Sequence, residues 1–342
     1  MPADAVAPRD HVRAAFTRLT RVRAGEWLVW GLAVAALVAL PTRHLILNEI
    51  AILALFALSL DLILGYAGLV SLGHAAFFGV GAYAAGLFAK HVTGEPLSGL
   101  ALATGAAALL GFATSFLVLR GTDLTRLMVT LGVALVLAEI ANQLSGITGG
   151  ADGLQGVVLL PLFGRFDFDM FGTTAYAYSL TVLFAAFWLA RRVVGSPFGL
   201  SIRAVRDNPL RAAALGIPVA PRLVAIYTLA AAYAGAAGAL LAQTTQFVSL
   251  DVFDFHRSAD VLLVLVIGGT GYLYGGIVGA VLFKVLQDVL AGLTPQYWHF
   301  WIGLFLVLLV LVGRERLHRG IGALAWPLGR RGRTAAGAGA RA

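Results

Sequence analysis

Ten apolar runs, most of them close to the length of a membrane-spanning helix, follow one another through this chain, and no other feature constrains its fold as much. They lie at 26–41, 46–65, 69–90, 97–119, 124–145, 172–191, 221–243, 259–270, 274–292 and 297–313. A helix rises about 1.5 Å per residue and a bilayer core is about 30 Å thick, so about 20 apolar residues cross it. Lipid offers no partner to a free N–H or C=O, so each run must close its own backbone bonds as a helix. Hydrophobic residues fill 59% of the 342 positions and charged residues 12%, and the mean hydropathy is +0.87, more apolar side chain than one soluble core can hide. The expected fold is all-α: a polytopic membrane protein of about ten transmembrane helices.

The charges decide the orientation. Eighteen of the 25 Lys and Arg residues lie in three stretches, Arg9 to Arg23, Arg191 to Arg222 and Arg314 to Arg341. Counted from a cytoplasmic N-terminus, six crossings return the 191–222 stretch to the cytoplasm and four more bring the tail there. Arg120 and Arg126 fall on the same side, and the acid-bearing loops 146–171 and 244–258 fall outside, as the positive-inside rule requires. The expected organisation is a basic cytoplasmic segment 1–25, a transmembrane domain 26–313 with a cytoplasmic loop 192–221, and a basic, disordered tail 314–342. Both termini then lie in the cytoplasm.

Several classes of function are set aside. The net charge of +8 flanks apolar spans, with few aromatics to stack on bases, so no nucleic-acid partner is expected. The chain has no cysteine, and its seven histidines show no ligand spacing, so neither metal nor other cofactor is expected. A P-loop needs Lys directly after its glycines. Here Lys90 follows Phe-Ala, Lys284 follows Leu-Phe, and no GK[ST] occurs. The chain is not read as an enzyme, and any ATP that drives it is hydrolysed by another chain.

Within 192–221 the residues punctuate a short helix. Asn208 can cap it, Pro209 suits its first turn, Gly216 suits the left-handed position beyond its end and Pro218 stops it. A helix over 209–215 spans roughly 10 Å and is too short to be stable alone. Something outside must hold it, either a partner protein or lipid headgroups contacted by Arg203, Arg206 and Arg211.

Polar groups inside the runs are costly in lipid and face protein or water. Asp61, Ser71, His74, Glu139 and Asn142 are the candidates for a translocation path. Asp61, His74 and Glu139 either line that path and relay protons, or hold helices together. Lys284 and Asp288 stand four apart and can neutralise each other. Two glycine-rich runs, Gly65 to Gly86 and Gly268 to Gly279, suit an inverted repeat with broken helices, or close packing of helix backbones.

Four stretches resemble a known family. The run Pro197-Phe-Gly-Leu-Ser-Ile-Arg203-Ala-Val-Arg206-Asp207-Asn208, followed by Ala212-Ala-Ala-Leu215-Gly216-Ile217, resembles the coupling loop of bacterial ABC-importer permeases of the branched-chain amino acid family, of the LivM type. Ala67 to Tyr83, Thr148-Gly149-Gly150-Ala-Asp152-Gly153-Leu154 and Val266 to Gly276 are similar to the same family in the same order, and the resemblance covers about 46–312. It implies an inner-membrane permease forming half of a pathway, with a second, LivH-like permease, ATP-hydrolysing subunits on the cytoplasmic face and a periplasmic or extracellular substrate-binding protein. The docking residues it implies are Arg203, Arg206, Asp207, Asn208, Pro209, Ala213, Leu215 and Gly216. The chain departs from the family at Pro209 to Arg211, where acids are common, leaving Asp207 as the loop's only acid.

The leading expectation is a permease for branched-chain or related apolar amino acids. A proton-coupled secondary transporter working through Asp61, His74 and Glu139, a permease for urea, amides or aromatic acids, and an assembly subunit of a membrane complex are the alternatives.

Overall fold

The computed structural model describes residues 24–307 except 170, 294, 298, 299, 305 and 306. The segment before residue 24, the tail 314–342 and part of the tenth run lie outside the described residues. Among the described residues the regular structure is helical, with two isolated β-bridges, Leu154 to Val248 and Leu162 to Phe166.

Each apolar run fully within the described residues carries a helix: α1 (Ala24–Ala39), α2 (His44–Asp61), α3 (Ala75–His91), α4 (Pro96–Val118), α5 (Asp123–Gln143), α6 (Thr173–Val194), α9 (Val219–Thr245), α10 (Phe255–Gly268) and α11 (Leu273–Leu293). Two further helices, α7 (Pro197–Asp207) and α8 (Pro209–Ala214), occupy the basic loop. Six helices, α2 with its continuation to Tyr66, α4, α5, α6, α9 and α11, are long and apolar enough to cross a membrane. The other three are shorter, and α3 begins at Ala75 although its apolar run begins at 69. There the chain first breaks: α2 passes into a π-helical turn, Leu62–Tyr66, and then an irregular stretch through His74. Gly68 takes a left-handed φ of 72°, and Leu69 N–H donates back to Ile63 O at 2.9 Å, closing the helix end.

The described residues divide into two compact units, with the boundary between residues 284 and 285. The first is built around α2 and α9. In each, 72% of the apolar window is buried, against 17% in α5, so α2 and α9 are the core and α5 presents apolar surface outward. Small residues let backbones approach. A Cβ at Gly238 of α9 would overlap Phe78 O of α3, and one at Gly81 would overlap the Gly235 backbone. Between α10 and α11, Gly268, Gly275 and Gly279 leave similarly little room for a side chain. In the second unit the C-terminal part of α11 ends at Leu293, and helical backbone recurs at 300–304.

Polar side chains cross-link the core. Asn48 Oδ1 accepts from Ser179 Oγ at 2.6 Å and its Nδ2 donates to Thr244 Oγ1 at 3.1 Å, tying α2 to α6 and α9. Gln243 Nε2 donates to Pro96 O at 2.7 Å and its Oε1 accepts from Tyr178 O–H at 3.0 Å. Nearby, the run Thr148 to Leu154 turns on three glycines with positive φ, Gly149, Gly150 and Gly153. It pairs with 248 through Leu154 N–H to Val248 O at 2.7 Å. Opposite them gather the π turn, the end of α4, the α7–α8 segment and the α10–α11 connection. Of the basic stretches that charge counting placed on one side, the two within the described residues, at 120–126 and 192–221, share this end.

Candidate functional site

The end that carries α7 and α8 holds most of the residues singled out in the sequence. Asn208 caps α8, its Oδ1 accepting from Arg211 N–H at 2.9 Å, and Pro209 occupies the first turn. At the other end Gly216 takes a φ of 82°, its N–H donates to Ala213 O at 2.9 Å, and Ile217 N–H donates to Ala212 O at 3.0 Å. This pair of bonds is a Schellman motif. The caps are those read from the sequence. The expectation that something outside the chain must hold this helix is corrected: α8 packs on α7 and α9, and Ala212 is buried there.

Sequence reasoning missed α7 altogether. Ser196 Oγ accepts from Gly199 N–H at 3.4 Å, Pro197 fills the first turn, and Ile202 and Val205 are buried against the bundle. The signal was present, since Phe198, Ile202 and Val205 follow helical spacing, but Gly199 and the arginines gave the stretch a loop's composition. With α7 fixed, α8 stands as a small rigid prominence. Pro209, Leu210, Arg211, Ala213, Leu215 and Gly216 are exposed on it, Leu210 to 84% and Leu215 to 74%. Two bare leucines on a capped, buttressed helix make a surface suited to an apolar groove.

Arg203 and Arg206 face elsewhere. The Arg203 guanidinium lies over the Tyr66 ring at 5.1 Å. Arg206 Nη1 donates to Gly65 O at 2.5 Å, while its Nε and Nη2 donate to Asp207 Oδ1 at 3.3 and 3.2 Å. The loop's single acid is therefore engaged by its own neighbour. Gly65 O is available because the helix stops at Tyr66, leaving its last carbonyls without a following turn.

Asp61 belongs to the same cluster. It is fully buried, its Oδ1 accepts from Gly271 N–H at 2.7 Å, and its Oδ2 has no partner. Gly271, with φ 78°, sits in the α10–α11 connection, and its Cα side opens toward Gly65 O and Arg206 Nη1. A Cβ at Gly65 would collide with Asp61 Oδ1 and Gly271 N. The two glycine runs recognised in the sequence thus meet each other here, at α7.

The remaining path candidates are dispersed. Ser71 is buried with an unpaired Oγ. His74 is fully buried, stacked on Phe56 at 5.6 Å, with Nε2 2.8 Å from Ser59 Oγ. Ser59 has one proton and gives it to Phe56 O at 2.6 Å, so Nε2–H donates to Ser59 and Nδ1 remains an acceptor without a partner. The opposite tautomer would bury an orphan N–H. Glu139 is exposed on α5 and accepts from Gln143 Nε2 at 2.6 Å, one turn away, with Asn142 half-buried beside them. No hydrogen bond or ion pair among the described residues joins Asp61, His74 and Glu139. Lys284 pairs with Glu49 across α11 and α2 at 2.5 Å.

An open apolar groove of about 900 Å³ runs between α4 and α9, lined by Phe112, Phe116, Arg120, Val224 and Leu229 among others. Among the described residues no cluster of His, Cys, Asp or Glu could hold a metal ion.

The family model described as "Branched-chain amino acid transport system / permease component" matches residues 43–312. The high-affinity branched-chain amino acid transport system permease protein LivM of Escherichia coli (strain K12) is 29% identical over 285 residues, covering 75% of this chain and 65% of LivM. The chain therefore spans just under two thirds of the length of that relative. The fructose import permease protein FrcC of Rhizobium meliloti is 27% identical over 281 residues, covering 79% of this chain and 77% of FrcC. A probable branched-chain amino acid transport permease protein, LivH of Methanocaldococcus jannaschii, is 24% identical over 170 residues, 48% of this chain and 49% of LivH. No solved structure matches the chain. With the match running unbroken from the start of α2 past the end of α11, the chain belongs to the family of branched-chain amino acid transport system permease components.

Proposed function

We propose that this chain is a permease subunit of an ATP-driven importer for branched-chain or related apolar amino acids, and forms half of its translocation pathway. The observation that carries the reading is the α7–α8 prominence: a capped helix with exposed Leu210 and Leu215, braced on the bundle, in a chain without a P-loop lysine. Such an element offers a docking surface to a partner that hydrolyses ATP. A groove on an ATP-hydrolysing subunit would seat Pro209, Ala213, Leu215 and Gly216, with Asn208 preserving the helix start.

The same reading places 192–221 and both termini on the cytoplasmic side of a bacterial inner membrane. The ten-span count and an inverted repeat centred on the two glycine runs follow from it, as do a LivH-like second permease and an exported substrate-binding protein. The apolar face of α5 offers surface for lipid or for that second permease. Bonds of Asp61 to Gly271 and of His74 to Ser59 favour cross-linking roles for those two over a proton relay, and Glu139 is paired only within its own helix, with Gln143.

Substrate is tested by measuring ATP hydrolysis of the reconstituted complex as its binding protein is loaded with different solutes. Leucine-class amino acids should stimulate hydrolysis. Stimulation by urea, amides, aromatic acids or fructose instead would reassign the substrate while keeping the permease role.

A further inference from the structure

We infer that Arg206 and Asp61 are positioning residues that latch the docking prominence to two breaks in the membrane helices, so that movement of α7 is passed to both at once. The inference deepens the proposed docking role and rests on it.

Three elements far apart in the chain converge within hydrogen-bond reach. From α7, Arg206 Nη1 donates to Gly65 O of the π turn, and Arg203 stacks on Tyr66 of the same turn. From α2, Asp61 Oδ1 accepts from Gly271 N–H in the α10–α11 connection. Gly65 lies against the Gly271 backbone because it has no side chain: a Cβ at Gly65 would stand 2.4 Å from Gly271 N. Gly68, just beyond, leaves so little room that a Cβ there would stand 2.7 Å from Arg206 Cγ. A displacement of α7 therefore pulls on the Gly65 carbonyl directly and on Gly271 through the Gly65 and Asp61 contacts.

The composition of the latch suits that task. A π turn and an irregular stretch replace regular helix at 62–74, and glycines at 268, 269 and 271 end α10, so both receivers are backbone breaks rather than continuous helix. Arg206 is also held from outside by Asp207, which orients the guanidinium toward Gly65. Asp61 keeps one carboxylate oxygen unpaired in a fully buried setting, an expensive choice for a residue that serves only to fill space.

Coupling is read as solute imported per ATP hydrolysed, with the complete complex in proteoliposomes. Arg206→Ala should leave the ATP-hydrolysing subunits bound and active while that ratio falls about tenfold, the weight of one charge-assisted hydrogen bond. Arg206→Lys, which can still donate to Gly65 O, should recover part of the loss, whereas a purely structural role would show as low yield without this ratio change. Asp61→Ala removes the acceptor for Gly271 N–H and should lower the ratio as well, whereas Asp61→Asn, which keeps an acceptor, should stay nearer the wild type. A wild-type ratio in Arg206→Ala overturns the latch, and so does release of the ATP-hydrolysing subunits by that variant, which would make Arg206 part of the docking face. If Arg206→Ala fails to assemble, Asp61→Ala decides: a wild-type ratio there overturns the latch. Leu215→Asp separates the two claims: capture unchanged in that variant sinks the docking reading, whereas capture lost there with normal coupling in Arg206→Ala sinks the latch alone.

Discussion

Gly216 offers a clean test of the α8 prominence, because its backbone and its space make opposite demands. A Cβ at position 216 would meet nothing within 4 Å, so steric crowding is removed as an explanation of any effect. The φ of 82° is the obstacle. A left-handed conformation costs a non-glycine L-residue roughly 1–2 kcal/mol. Gly216→Ala should therefore raise the frayed population of α8 by roughly 5- to 30-fold. Gly216→Asn, a residue that tolerates this region, should cost less, and Gly216→Val more. Hydrogen exchange of the purified protein reads the effect at position 216 and at Ile217, whose amides donate to Ala213 O and Ala212 O. Exchange there should rise in the order Gly, Asn, Ala, Val, while amides in α2 and α9 keep their protection. Equal exchange in the Ala and Asn variants would refute the left-handed cap as the element that holds α8, and loss of protection in α2 would place the residue in the core.

Three other perturbations follow from the structure. Gly238→Ala puts a Cβ against Phe78 O, a backbone atom that cannot rotate away, and should lower stability by about 1–3 kcal/mol. Gly105→Ala, with open space, should be neutral or gain up to about 1 kcal/mol, and thermal unfolding in detergent should separate the two. Asn48→Leu removes bonds to Ser179 and Thr244 and should cost roughly 1–2 kcal/mol in the same assay; an unchanged melting point would deny the cross-link any weight. Burial pushes the Asp169 carboxyl up, but hydrogen bonds from Thr174 N–H and from Thr173 outweigh it and hold the group below its ordinary range. Its contribution is complete above the unfolded value of about 3.9 and is lost as pH falls through the lower folded value, so Asp169→Asn should flatten the stability profile below about pH 4. An identical acid profile in that variant would contradict the assignment.

Much of this architecture is legible in the residues, and what escapes has physical reasons. The apolar runs declare helices because lipid permits little else. The caps of α8 could be read directly because Asn208, Pro209 and Gly216 each act on neighbours within a few residues. Helix α7 escaped because its buried apolar face is short and its arginines give the stretch the composition of a loop. Arg206 reads as a surface charge because its partner is a backbone carbonyl 141 positions away, uncovered only when α2 breaks at Tyr66. The start of α3 at Ala75 has a similar cause. The apolar run continues through 69–74, but Gly68 reverses the chain and Gly73 lies against the Thr130 backbone, geometry that hydropathy does not register. Glu139, which composition places inside, is exposed on α5, where Gln143 one turn away donates to it.

The central claim is that this chain moves solute only when another chain supplies ATP hydrolysis. Uptake into proteoliposomes tests it directly, comparing the complete complex with ATP against this chain alone under a proton gradient. Leucine accumulation is expected in the first case and none in the second. Accumulation by the chain alone, driven by the gradient, would contradict the account.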